Sequence, residues 1–117
     1  MPKFLLLLHQ APLRFDNLAP EDIQKIVNEY VAWREALVNR NRLLGGEKLR
    51  DGGGRHVRMV EGKVVSTDGP FSEAAEVLGG YFLIEAADVA EAEQIAISCP
   101  HLAGSRWIEV RQIEDVH

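Results

Sequence analysis

Apolar positions along the chain fall into two spacings. "KFLLLLH", residues 3–9, is a continuous apolar run with polar ends, and its length suits a strand buried on both faces. "QAPLRFDNL" breaks the run with Pro12 and polar residues. Over residues 19–40, Ile23, Ile26, Val27, Tyr30, Trp33 and Leu37 recur every three or four positions, which gives a helix one apolar face. Pro20 suits its first position, and Glu21 and Asp22 suit the positive end of its dipole. Leu18 and Ile23 have the spacing of a hydrophobic staple, whereas Ala19 is a poor N-cap. Asn39, Arg40, Asn41 and Arg42 end the helix with polar and basic residues.

"RLLGGEKL", residues 42–49, predicts a second strand with an irregularity at Gly45–Gly46. After the flexible turn "RDGGG", the segments "RHVRMV" and "KVVST" flank Glu61–Gly62, a hairpin-turn pattern. "SEAAEVLGG", residues 72–80, reads as one helical turn before a glycine pair, and "GYFLIEA" as a strand. Asp88 and Glu91 have capping-box spacing at the start of a second helix, residues 88–99. Ala92, Ile95, Ala96 and Cys99 form its apolar stripe, and Pro100 stops it. "RWIEVRQI", residues 106–113, sets Ile108 and Val110 against Trp107, Glu109 and Arg111, the alternation of a half-buried strand.

The order strand–helix–strand, hairpin, strand–helix–strand predicts an α+β fold. Two βαβ units form a ferredoxin-like sheet with both helices on one face, and a β-hairpin is inserted between the halves. The other face is left bare and apolar. A second copy closing over it makes a homodimer the expected assembly.

The length of 117 residues bounds this to one domain, residues 1–117, large enough for its own core. The single cysteine, Cys99, excludes a disulfide within the chain and points to the cytoplasm. On the helix stripe it reads as core rather than nucleophile. Net charge is −5 and Lys and Arg form no basic stripe, so no direct nucleic-acid partner is expected. The run Phe4–Leu8 is too short to cross a bilayer, and no membrane partner is expected. Neither GxGxxG nor GxxxxGK[ST] occurs, and no His pair has the spacing of a compact metal site. No cofactor and no metal are therefore expected. Trp33 and Trp107 read as core or dimer anchors rather than stacking platforms.

The chemistry-bearing candidates lie at predicted strand ends and loops. Asp68, in "STDGPF", is a general base or the orienter of a histidine; equally, an Asp before Gly-Pro can shape the turn. His9 ends the first strand, where an imidazole can exchange protons near neutral pH or bond a backbone carbonyl. These two are the catalytic candidates. The substrate-binding candidates are Glu47, His56, Arg58, Phe71, Glu73, His101 and Arg111. A buried Glu47 needs a partner, since a lone buried carboxylate is costly. Glu73 beside Asp68 would form an acid–base pair, or else face solvent. His56 and His101 also fit surface or loop positions, while Arg58 or Arg111 would steady an anion.

"GGEKL", "GRHVR", "GKVVSTDGPF", "EVLGGYFLIEA", "CPHL" and "IEVR", in this order, resemble the YCII-related proteins, in the branch named for its DGPF motif. The resemblance runs from Phe4 to about Glu114. It implies a dimeric α+β barrel related to the ferredoxin-like dimers. It also implies either a small cofactor-free enzyme like the muconolactone isomerases, some members carrying a proposed His–Asp site, or a regulatory module near extracytoplasmic-function sigma factors. The branch's usual Lys in "FxEAKE" is replaced here, where Ala75 stands between Ala74 and Glu76. Two functions follow as expectations. One is acid–base chemistry on a small polar organic molecule in a dimer-associated pocket. The alternative is non-catalytic ligand binding or regulation through a protein partner.

Overall fold

The N-terminal leucine run becomes the inner strand on which the sheet is built. The computed structural model describes residues 1–11, 19–50, 52–68, 76–104 and 106–115. Strand β1 (Lys3–Gln10) pairs antiparallel with both β5 (Val77–Glu85) and β6 (Trp107–Gln112), and β5 pairs antiparallel with β2 (Leu43–Lys48). The four-stranded order is β2-β5-β1-β6. With helices α1 (Pro20–Asn39) and α2 (Val89–Ile97), this α+β arrangement is compatible with a ferredoxin-like fold. Strands β3 (Arg55–Val60) and β4 (Lys63–Asp68) pair with each other in a separate antiparallel sheet.

The expectation that β1 is buried on both faces is corrected. Phe4, Leu6, Leu8 and Gln10 are buried, but Leu5, Leu7 and His9 between them are only half-buried. The reason is the pleat: alternate side chains point to opposite faces, and the core packs on only one of them. That core joins Phe4, Leu6, Phe82 and Ile84 of the sheet to Leu37 of α1 and to Ala92, Ile95 and Ala96 of α2. On the other face Leu7 lies opposite Tyr81 and Glu109, and Leu5 opposite Leu83 and Arg111.

The glycine pair Gly79–Gly80 belongs to β5, not to a loop after a helical turn; residues 69–75, where the rest of that turn was expected, lie outside the described residues. The irregularity expected in β2 is present, and a second, not expected, lies between β1 and β5. The β1–β5 register skips Gly79 beside Leu8 and His9, and the β2–β5 register skips Leu44 just before Gly45. Each is one extra residue in one strand, which bends the sheet locally. In the hairpin turn Glu61 and Gly62 both have positive φ (49° and 79°), the backbone of a tight type I′ connection.

Helix α2 is capped as its sequence predicts: the Asp88 side chain accepts from the Glu91 amide at 2.9 Å. The Glu91 carboxylate reaches back one residue further than a capping box requires, accepting from the Ala87 amide at 2.9 Å and pairing with Arg42. Those contacts, the Ala87 N–H first, hold its carboxyl below the usual range. Helix α1 has no side-chain N-cap. Its far end closes by a Schellman pattern, with Asn41 at φ 56°, Asn41 N–H to Val38 O and Arg42 N–H to Leu37 O.

Packing of α1 differs from the expected continuous apolar seam. Leu37 is its only buried residue, while Ile23, Ile26, Tyr30 and Trp33 are half-buried and Val27 is exposed. The helix is fixed at its C-terminal end and stands away from the sheet at its N-terminal end. Every described side chain of β3 and β4 is exposed, and the radius of gyration, 16.5 Å, exceeds the roughly 13 Å of a compact domain of this size. The β3–β4 pair accordingly stands off the body.

Candidate functional site

The lift of α1 leaves a cavity of about 760 Å³ between its N-terminal half and the helix-bearing face of the sheet. That volume falls within the roughly 300–1,000 Å³ usual for small-molecule sites. The roof is the apolar face of α1, with Ile23, Ile26 and Val27. The floor is Leu8 and Phe82, with glycines between them. Two glycines are required for this floor. A Cβ on Gly46 would lie 2.6 Å from the Phe82 ring, and one on Gly79 would lie 2.7 Å from the Gln10 amide.

Gln10 follows the strand alternation onto the helix-bearing face, where Phe4, Leu6 and Leu8 are core. It is only 5% exposed, and its side-chain amide lines the cavity without a hydrogen bond to any described residue.

Beside it, Tyr30 and His101 form a hydrogen-bonded pair. The Tyr30 hydroxyl lies 3.1 Å from His101 Nδ1, and His101 Nε2 lies 2.9 Å from the His9 carbonyl oxygen. A carbonyl only accepts, so Nε2 carries the hydrogen. Burial to 2% exposure pushes the His101 pKa below its ordinary 6.5 and keeps the ring neutral. Nδ1 is then the acceptor and Tyr30 the donor. Burial also pushes the Tyr30 phenol up to about 12, so it keeps its proton. Burial likewise raises the neighbouring Cys99 thiol to about 11, which leaves it an unreactive core residue. Arg34, Lys48 and Arg106 add cationic side chains to the lining.

A second cluster occupies the opposite face of the same strand. His9 Nε2 donates to Glu109 Oε1 at 3.0 Å, and the His9 ring stacks on Trp107 at 4.2 Å between centroids. Trp107 is therefore a stacking platform after all, for a histidine. Its indole N–H bonds Glu76, and Arg111 bonds the second Glu109 oxygen at 3.2 Å. The His9 and Arg111 hydrogen bonds, in that order, hold the Glu109 carboxyl below the usual range. Trp33, by contrast, packs edge-on against Phe82 at 4.8 Å.

The sequence candidates are spread among these environments. His101 lines the cavity, His9 and Arg111 meet Glu109 on the other face, and Asp68 ends β4 in an ion pair with Arg55. His9 and Asp68 thus lie on different sheets and are held by different partners. His56 and Arg58 are exposed on β3, opposite Thr67 and Val65. Glu47 lies opposite Tyr81 in the sheet. Phe71 and Glu73 lie outside the described residues. Among the described residues no three His, Cys, Asp or Glu gather as a metal site would require.

Comparison with known families gives one match: the model of the YCII-related domain covers residues 3–116. The chain belongs to the YCII-related family. No curated protein matches it. Membership fits the two-helix α+β fold, and no described helix is long and apolar enough to cross a membrane.

Gln10, Tyr30, Arg34, Arg106 and Glu109 were not among the sequence candidates. One signal was available for Gln10: it continues the phase of Phe4, Leu6 and Leu8, so a polar residue there must be buried. Tyr30 was visible only as one more apolar-face residue, because nothing local shows that α1 lifts away.

Proposed function

We propose that this YCII-related protein binds a small, mainly apolar organic molecule in the cavity between α1 and the sheet. The observation that carries the reading is the cavity itself, which is of ligand size, apolar in roof and floor, and lined by the Tyr30–His101 pair and Gln10. The Tyr30–His101 pair gives the site acid–base capacity. With its hydrogen given to His101 Nδ1, the Tyr30 oxygen accepts a hydrogen bond from a ligand O–H, or takes that proton while passing its own to His101 Nδ1. In the non-catalytic alternative the same pair only orients the ligand. His9 and Asp68 are not needed for either role.

The half-buried apolar positions on the opposite face, Leu5, Leu7, Tyr81 and Leu83, support a homodimer with the two sheets face to face. In that assembly the β3–β4 pair is an insertion between two βαβ halves, and two copies complete a dimeric barrel. The DGPF-type motif spans Asp68 to Phe71.

Calorimetric titration with 2-naphthol tests the site, comparing the unaltered protein with Val27→Trp. Val27 lines the roof and is exposed enough to accept a larger side chain without disturbing the core. Saturable binding that disappears in a Val27→Trp protein of unchanged melting temperature supports the cavity. Equal binding by both proteins refutes it.

A further inference from the structure

We infer that the ligand of this cavity is a carboxylate on an apolar body, its charged end held by the guanidinium groups of Arg34 and Arg106. This rests on the cavity reading above and adds the ligand's charge.

The cavity inverts the charge of the chain. Net charge is −5, yet Arg34, Lys48 and Arg106 line the cavity, and among its described lining residues Glu47 is the only carboxylate residue. Strand alternation turns the Glu47 side chain to the other face, with its register partner Tyr81, while Gly46 and Lys48 face α1. Glu47 meets the cavity through its backbone: its carbonyl oxygen would lie 2.8 Å from a Cβ on Gly80. Among the described lining residues, three cationic ones therefore border an apolar space, and the carboxylate charge that reaches Tyr30 comes from Glu29 of α1.

Two of these cations have capacity to spare. Lys48 is engaged, donating to the Leu49 carbonyl at 3.1 Å. Arg34 has no hydrogen bond or ion pair with any described residue. Arg106 donates only from Nε, to the Ala103 carbonyl at a long 3.4 Å, which leaves both terminal nitrogens available. Arg34 lies one helical turn beyond Tyr30, on the same side of α1. The Arg106 charge is close enough to Tyr30 and His101 to oppose the rise of one and add to the fall of the other. Both arginines line the one cavity, with Arg106 at the end that holds Tyr30 and His101.

The donor set selects the anion. A planar guanidinium matches a carboxylate through two parallel N–H bonds. The Gln10 NH₂ can add a donor, while the single Tyr30 hydrogen is directed at His101 Nδ1. The same fork also matches a phosphate, but the described lining has no glycine-rich loop whose backbone amides would add to it. The apolar roof and floor require the rest of the ligand to be hydrocarbon.

The test is calorimetry at neutral pH with 2-naphthoate and 2-naphthol, which share an apolar body and differ in charge. The proteins are the unaltered chain, Arg34→Gln, Arg106→Gln and Val27→Trp. Naphthoate should bind at least about tenfold more tightly than naphthol, as expected for a charge-assisted hydrogen-bonded contact. Each arginine variant should weaken naphthoate by about tenfold and leave naphthol unchanged, and Val27→Trp should abolish both. Equal affinities for the two probes, or arginine variants that keep the tenfold preference, would overturn the carboxylate assignment while the cavity stands. Tight binding of inorganic phosphate that competes with naphthoate would also overturn it. Failure of both probes to bind the unaltered protein removes the cavity reading itself.

Discussion

The His101 ring donates from Nε2 to the backbone carbonyl of His9 at 2.9 Å, and this bond joins the two faces of the sheet. On one side His101 carries Tyr30 and borders the cavity. On the other, the His9 side chain bonds Glu109 and stacks on Trp107. The carbonyl that His101 uses lies beside the Gly79 register skip, where β1 and β5 are out of regular pairing. A change in His9 position on the open face therefore moves an acceptor on the cavity side.

Burial of the His101 ring makes stability depend on pH in a definite direction. His101 has a folded pKa below 6.5, so below that value the unfolded chain binds the proton more readily. Its contribution is complete above the unfolded pKa and is lost as pH falls toward the folded one. Denaturation midpoints should drop between neutral and mildly acidic pH, and His101→Asn should flatten part of that slope. Identical slopes in the two proteins would contradict a buried neutral imidazole.

Tyr30 should titrate late. With Tyr81→Phe to remove the other phenol, tyrosinate absorbance measured by rapid mixing should rise near 12, the value burial imposes. A midpoint near the ordinary 10.0 would mean that the hydroxyl is solvated and the α1–sheet gap is wider than described.

Leu37 is the anchor of α1 at 2% exposure. Leu37→Ala should cost about 2–5 kcal/mol in denaturant unfolding, the usual range for a buried leucine. It should also weaken naphthol binding, because the roof of the cavity loses its attachment. A loss under about 1 kcal/mol would show that other contacts hold the helix.

Asp68 behaves differently. Its side chain is 90% exposed and its partner Arg55 is on the neighbouring strand of the hairpin. An exposed pair of this kind contributes at most about 1 kcal/mol, so Asp68→Asn should fold normally. It should also retain naphthoate affinity, measured by the same titration. Loss of binding in a stable Asp68→Asn protein would return the DGPF segment to the ligand site.

Much of the fold was legible because its signals are local. The three- and four-residue spacing fixed α1, the Asp88–Glu91 pair marked the start of α2, and Glu61–Gly62 marked the hairpin turn. The candidate site was legible only in part. His101 was found as a histidine after a helix, but its burial comes from the return of the chain beneath β1. Arg34 and Arg106 are 72 positions apart in sequence, and neither lies in a recognisable motif. Their place in one cavity depends on the tilt of α1, which is held by buried Leu37, by Trp33 against Phe82 and by the Tyr30–His101 bond. Strand phase does carry Gln10, and a polar residue continuing an apolar register is the clue that was available.

The most direct test is chemical-shift mapping of the amides during titration with 2-naphthoate. The account predicts that the large changes fall on Gln10, Tyr30, Gly46, Gly80 and His101, around the space between α1 and the sheet. Changes confined to the β3–β4 pair, or to Trp107 and Glu109 on the opposite face, would contradict it.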